Sequence, residues 1–305
     1  DGYTNIEEFL NGAEPGGADG STERVLYNGI GLPAEWPPHY EISLETESKV
    51  MPVPYLDNPP EVIPIDVGRQ LFVDDFLIEE TTLQRTYRQA EYHPGNPVLE
   101  PDRPWETETM LGGSPAPTAM VFSDGVWWDP QDGIFKMWYM GGYNSSTCYA
   151  VSPDGLHWSK PELDVVPGTN IVHKDAGIGR GSTTIWIDAQ ADDPARRFVM
   201  FKQQGDDDAN AIRMLVLFSA DGIHWGNPLK SAPYSGDRST AFYNPFRKVW
   251  VFSIKQNLFG RRRKYAETPF LRNIAHAWEH GDKLPVWVGA DRLDLPHPEM
   301  PDKKT

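Results

Sequence analysis

Three carboxylates stand just ahead of aromatic runs in this chain: Glu106 and Glu108 before Thr118–Ser123, and Asp237 in Ser235-Gly236-Asp237-Arg238-Ser239 before Ala241-Phe242-Tyr243. Two carboxyl groups facing each other across a cleft can split an acetal. One protonates the leaving oxygen, while the other attacks the carbon or activates water. Around these acids, Arg180, Arg238 and Lys255 offer cations, Asp175 and Asn144 offer polar contacts, and Trp105 and Tyr143 offer flat apolar surface. Each has a plainer reading. Asp237 can simply pair with Arg238 or Arg180, Glu106 can be a loop acid in solvent, and Trp105 and Tyr143 can be packing residues.

Other chemistries are excluded or weakened by what the chain lacks. The 305 residues carry 28 Lys plus Arg against 44 Asp plus Glu, a net charge of −16. That balance opposes binding to nucleic acid or to an anionic membrane surface. The one basic cluster, Arg261-Arg262-Arg263-Lys264, suits an acidic sugar better than a phosphate backbone in such a chain. A single cysteine, Cys148, leaves no internal disulfide and no multi-cysteine metal site. No run of 18 apolar residues is present. The glycine-rich nucleotide loops, H-E-x-x-H and G-x-S-x-G are also missing. Neither a metal nor a cofactor is expected. Asp206-Asp207-Asp208 reads as a solvated loop, because three adjacent carboxylates cannot all face one calcium ion.

The elements that must position these residues are legible as a repeat. Trp127-Trp128-Asp129-Pro130 leads through a turn to Phe135–Tyr139, Trp186-Ile187-Asp188-Ala189 leads to Arg197–Phe201, and Phe242-Tyr243-Asn244-Pro245 leads to Lys248–Phe252. Each is an aromatic strand, an Asx/Pro turn and a second aromatic strand, the signature of a hairpin. The Asx positions lie 59 and 56 residues apart. A second element follows each hairpin: Ser152-Pro153-Asp154-Gly155-Leu156-His157-Trp158, Ser219-Ala220-Asp221-Gly222-Ile223-His224-Trp225, and a degenerate copy around Thr268. Two hairpins per unit make a four-stranded blade, so the expected fold is all-β, a β-propeller. The 28 Pro and 27 Gly fit many short strands joined by turns, and the 11 Trp, 13 Phe and 12 Tyr supply a core.

Blade geometry puts the starts of the first strands on one face, together with the loops joining second to third strands. Glu106, Glu108, Tyr143, Asn144, Asp175, Arg180, Asp237, Arg238 and Lys255 therefore share that face. The Asp-Gly turns and their histidines fall on the opposite face and read as blade packing. Residues 70–90 read as a further strand pair.

Residues 1–60 read as an acidic tail and a Pro-rich arm, and 61–305 as the propeller domain. Residues 1–12 look like the second half of an EF-hand-type loop, and like the tail of pectate-lyase-like proteins. Three full blades and part of another are fewer than a closed ring needs, so the sequence reads as truncated after its third blade.

Taken together, Leu71-Phe72-Val73-Asp74-Asp75-Phe76-Leu77-Ile78, Asn96-Pro97-Val98-Leu99, Pro104-Trp105-Glu106 and the two D-G-x-H-W turns resemble the five-bladed propellers of the glycoside hydrolase family 32/43-like superfamily. The resemblance covers about residues 60–300. It implies a secreted or periplasmic bacterial enzyme acting on glycosidic bonds of plant or microbial polysaccharide, with no nucleic-acid or membrane partner. Such families place acids at the starts of three first strands, which makes Asp237 the leading catalytic candidate. Gly113-Ser114-Pro115 and Arg180-Gly181-Ser182 depart from that pattern. Three readings stay open. Glu106 or Glu108 partners Asp237, or the general acid lies in a blade outside this chain, or the propeller binds sugar without cleaving it.

Overall fold

The computed structural model describes residues 60–66, 71–72, 75, 77–174, 181–189, 191–206, 211–233, 236–245, 247–256, 262–271, 284 and 286–287. Two compact units divide the chain. The larger holds Tyr92–Phe242 and Trp250–Leu284, and the other holds the segments before and after it together with Tyr243–Val249.

Alternating apolar and polar residues in the aromatic runs produce strands, and the Asx turns fold them back on themselves. After a one-turn helix α1 (Pro104–Thr107) and a small hairpin of β1 (Met110–Leu111) and β2 (Ser114–Pro115), the first sheet is β3 (Ala119–Asp129), β4 (Ile134–Gly141), β5 (Ser146–Ser152) and β6 (Ile171–Lys174). The second is β7 (Thr183–Ile187), β8 (Phe198–Asp206), β9 (Ala211–Ser219) and β10 (Leu229–Pro233). The third begins with β11 (Gly236–Asn244), β12 (Val249–Gln256) and β13 (Arg262–Thr268), while the short β14 (Val286–Trp287) falls in the other unit. Within each sheet the strands follow one another in chain order, and the neighbours β3 to β6, β7 to β10, and β12 with β13 pair antiparallel, as in the blades of a propeller. The fold is all-β and blade-built, as the repeat implies. Residues 77–99 contain no strand, and Leu83, Tyr87 and Tyr92 are all exposed. The strand pair read from the sequence at residues 70–90 is therefore not formed in its described part.

Large aromatics close the spaces between blades. Trp138 packs on Phe198 (ring centroids 5.7 Å apart) and on Tyr149 (5.3 Å), and with Val172, Ile185, Met200, Leu215 and Leu217 it fills the space between the first two sheets. Phe201 meets Trp250 and Phe252 at 5.3 and 5.8 Å between the second and third sheets. Indole donors tie the sheets together: Trp127 Nε1 to the Ile185 carbonyl and Trp138 Nε1 to the Gly222 carbonyl, each at 2.8 Å. One end of the first interface is sealed by ions. Burial pushes the Asp129 carboxyl up, but Lys136 and Arg197 outweigh it and hold the group below its ordinary range.

The two Ser-x-Asp-Gly turns are built alike. Asp154 accepts the Leu156 and His157 amides at 2.9 and 2.8 Å and pairs with His157 Nδ1 at 2.7 Å, and Asp221 does the same with Ile223 and His224. Gly155 and Gly222 take φ of 77° and 78°, the left-handed region that a side chain resists. Their surroundings differ. A Cβ on Gly222 would meet Trp138 Cζ2 at 2.5 Å, whereas one on Gly155 would meet only the Phe135 ring at 3.7 Å. Gly155→Ala should therefore cost about 1 kcal/mol of backbone strain. Gly222→Ala should cost about 1–3 kcal/mol more, because it displaces the central tryptophan. Urea unfolding of the two single variants checks this, and equal midpoints would show that the Trp138 contact is slack.

Candidate functional site

The first strands of the three sheets converge at their starting ends. Ser123 Oγ of β3 donates to the Thr183 carbonyl of β7 at 2.9 Å, and Ser182 Oγ, just before β7, donates to the Ser239 carbonyl of β11 at 2.9 Å. Gln203 Oε1 lies 3.0 Å from the same Ser182 hydroxyl and shares its one proton, and Gln203 donates to the Gly236 carbonyl. These serines hold three backbones side by side where the second and third sheets begin.

A register break shapes the first of these strands. Met120 faces Met140 while Gly125 faces Trp138, so the residues between them bulge from β3. Within the bulge Phe122 has φ 57° and remains 41% exposed. On β11 Arg238 has φ 66°, is exposed, and sets its guanidinium 3.8 Å from the Phe122 ring centroid. Non-glycine residues in this conformation carry strain of about 1–3 kcal/mol each and concentrate at functional sites. A cation stacked on an exposed ring, with both residues left-handed and on first strands of different sheets, marks this end of the molecule as the candidate site.

A buried polar group lies on the second strand of the second sheet. Lys202 of β8 is 1% exposed, and its Nζ lies 2.9 Å from His173 Nδ1 of β6. Burial lowers the Lys202 pKa to about 7, an effect that the charge of Asp124, in the β3 bulge, partly opposes. Near neutral pH this amine exchanges a proton, with the histidine in position to accept a hydrogen bond from it.

No protein-family model matches the chain, and no curated protein matches it. Among solved structures it is similar to an N-acetylgalactosamine deacetylase from F. plautii, at 18% identity over 47% of this chain and 48% of that one, with a TM-score of 0.32. It is also similar to a structure of the GH130 family of mannoside phosphorylases, described as containing glycoside hydrolases that target β-1,2 mannosidic linkages in Candida mannan. That match has 14% identity, 58% and 55% coverage and a TM-score of 0.35. A thermostable family-43 glycoside hydrolase matches at 9% identity, 58% and 75% coverage and a TM-score of 0.30. The chain spans about half the length of the first two.

The residues singled out in the sequence fall into two groups. Arg238 and Lys255 lie together at the starting end of the third sheet, where the Lys255 amide donates to Ser239 Oγ at 3.0 Å. Trp105 and Glu106 lie in α1 against the first sheet. Glu106 is 0% exposed, and both of its oxygens are engaged. Oε2 accepts from Lys160 Nζ at 2.7 Å and from the Asp102 and Arg103 amides at 2.9 and 3.1 Å, and Oε1 accepts from Tyr139 Oη at 2.7 Å. Burial pushes the Tyr139 hydroxyl pKa up, so it stays a donor. Asn170 Nδ2 donates to that oxygen at 2.6 Å, and Trp105 Nε1 donates to Asn170 Oδ1 at 3.0 Å. This is an anchoring network, and the geometry gives Glu106 and Trp105 a structural task.

Glu108 is exposed at the end of α1. Tyr143 and Asn144 lie in the turn after β4, Tyr143 donating its amide to Thr109 Oγ1 at 3.0 Å and Asn144 at φ 49°. Asp237 occupies the second position of β11, and its side chain lies outside the described residues, as do Asp175 and Arg180 entirely. Among the described residues no group of three or more His, Cys, Asp or Glu gathers as for a metal, and no helix is long and apolar enough to cross a membrane.

Sequence reasoning missed Phe122, Asp124, His173 and Lys202. One signal was available: Phe198, Met200 and Lys202 alternate on one face of an aromatic strand, where a lysine is out of place. Phe122 and Asp124 gave no such signal, because the bulge breaks the alternation.

Proposed function

We propose that this chain is part of a secreted or periplasmic glycoside hydrolase that cleaves glycosidic bonds at the converging ends of its first strands. The observation that carries this reading is the exposed Arg238–Phe122 stack on β11 and β3, one residue along from Asp237. A flat apolar ring beside a fixed cation and a carboxylate position is a suitable reception point for a sugar. Asp237 is the proposed catalytic carboxylate. Glu108, exposed, is its proposed partner in preference to Glu106, whose oxygens are already engaged inside the first sheet.

A second reading has an observation of its own. Glu106 is occupied and Asp124 is fully buried, and exposed Glu108 sits at the end of α1 and not on a first strand, so among the described residues no second reachable acid stands on the first strands themselves. This favours a propeller that holds carbohydrate without cutting it. Reducing-end release from a panel of plant and microbial oligosaccharides separates the two. The hydrolase reading expects turnover that falls at least 100-fold in Asp237→Asn, in line with the loss of an acid/base group. Binding without turnover supports the second reading, and equal turnover by wild type and variant removes Asp237 from the chemistry.

A further inference from the structure

We propose that His224 is a proton-operated clasp between the first two sheets. Its charged ring holds Asp221 of its own turn and Asp164 of the neighbouring sheet at once, and the neutral ring lets Asp164 go.

Geometry is the first support. His224 Nδ1 lies 2.7 Å from Asp221 Oδ2, and Nε2 lies 2.9 Å from Asp164 Oδ1. An ionised carboxylate only accepts hydrogen bonds, and an imidazole donates from both nitrogens only when it is doubly protonated. A ring bracketed by two carboxylates is therefore in its charged form. The acids stay ionised. The bond to His224 holds Asp164 below the usual carboxylate range. Burial pushes Asp221 up, but the His224 ring and the turn amides outweigh it.

Placement is the second support. Asp164 lies in the loop between β5 and β6, 60 residues before His224. Ser219 pairs with Phe198 and Phe198 with Ile187, the last residue of β7, so the turn that carries His224 stands at the end of the second sheet away from the candidate site. Leu163, just before Asp164, packs against the core between the first two sheets, as do Ile223 and Trp225 on either side of His224. Both backbones are thus held before the side chains meet, which removes part of the ordering cost that makes exposed ion pairs weak. The sister turn lacks this arrangement. His157 bonds Asp154 at 2.7 Å, its side chain is 85% exposed, and no second carboxylate bonds it among the described residues.

The release has a definite sign. The bonds to Asp221 and Asp164 raise the His224 pKa above its ordinary 6.5. The clasp is therefore complete below pH 6.5 and is lost as pH rises through the raised folded value. Above it, Asp221 and Asp164 repel each other across a neutral ring. The other charged groups nearby are engaged or exposed. In the same loop Glu162 is exposed, and Lys160 bonds Glu106 and Asp102. Asp129 and Asp132, which act together with Asp221 on Tyr149, both pair with Lys136.

Nuclear magnetic resonance titration of the histidine rings in the full chain tests this, with the His224 signal identified by its loss in His224→Gln. Asp164→Asn should lower the His224 pKa by about 0.3–0.7 pH unit. Amide exchange at Leu163, whose N–H donates to the Thr169 carbonyl at 2.7 Å, reads the release itself. Corrected for the intrinsic rate, its protection should fall about two- to five-fold as pH rises through the His224 pKa in wild type. His224→Gln should show no such step, and a thermal melt shows that both variants are folded. An unchanged His224 pKa in folded Asp164→Asn overturns the clasp. So does a wild-type protein without the step, or a step that survives in folded His224→Gln.

Discussion

Lys160→Met is expected to lose about 3–5 kcal/mol of unfolding free energy, the cost of leaving a buried carboxylate without its counter-charge. Lys160 is buried between α1 and the first sheet, and its ammonium donates to Glu106 Oε2 and to the Glu100 carbonyl, both at 2.7 Å, and to Asp102 Oδ1 at 2.6 Å. It also lies 5.7 Å from the centre of the Tyr139 ring. With the ammonium gone, Glu106 keeps its two amide donors and the Tyr139 hydroxyl, but its charge stays in a dry site. Removing the charge as well should restore much of the loss, so Lys160→Met combined with Glu106→Gln should be more stable than Lys160→Met alone. Urea unfolding of the four members of this cycle measures the coupling. A cost below 1 kcal/mol for Lys160→Met would mean that water reaches the pair. The same experiment decides how a Glu106 variant is to be read in an activity assay. Activity lost by Glu106→Gln should follow the fraction unfolded, not a change in the chemical step.

The contrast between Glu106 and the blade turns explains how much the sequence disclosed. Strand pairs and Asp-Gly turns are local: Ser152, Asp154 and His157 bond one another and Trp158 Nε1 donates to the Gly155 carbonyl, all within seven residues, and Ser219, Asp221 and His224 repeat the first set of contacts. Local contacts leave a spacing that can be read, so the sheets and the structural role of both turns were legible. Glu106 meets Tyr139 and Lys160, which lie 33 and 54 residues further along the chain, and Trp105 meets Asn170 at a separation of 65. No local spacing marks such partners, and an acid in a Pro-Trp-Glu turn therefore reads as exposed. Phe122 was hidden for a different reason. Strand alternation assigns faces only while the register holds, and between Met120 and Gly125 it does not. Arg238 and Lys255 were found because their places at strand ends follow from chain order alone.

Lys202 supplies the other large effect, a dependence of stability on pH. Its ammonium is disfavoured by burial, which lowers its pKa from 10.5 to about 7, while in the unfolded chain it titrates at its ordinary value. Between these two values the unfolded chain binds more protons than the folded one. Stability contributed by this group therefore rises as pH is raised through that window and is lost as pH falls towards 7. His173 Nδ1 of β6 lies 2.9 Å from Lys202 Nζ. The charge of Asp124 opposes the shift and keeps it from being larger. In Lys202→Met the titrating group is gone and its place on the apolar face beside Met200 and Phe198 is filled. The unfolding free energy of wild type minus that of Lys202→Met should therefore grow by about 4 kcal/mol between neutral pH and about pH 10.5, with the slope concentrated above pH 7. Because the subtraction cancels the other titrating groups, a flat difference would mean that Lys202 is hydrated and keeps its ordinary pKa. A rising one would mean that Lys202 gives up its proton near neutrality inside the second sheet.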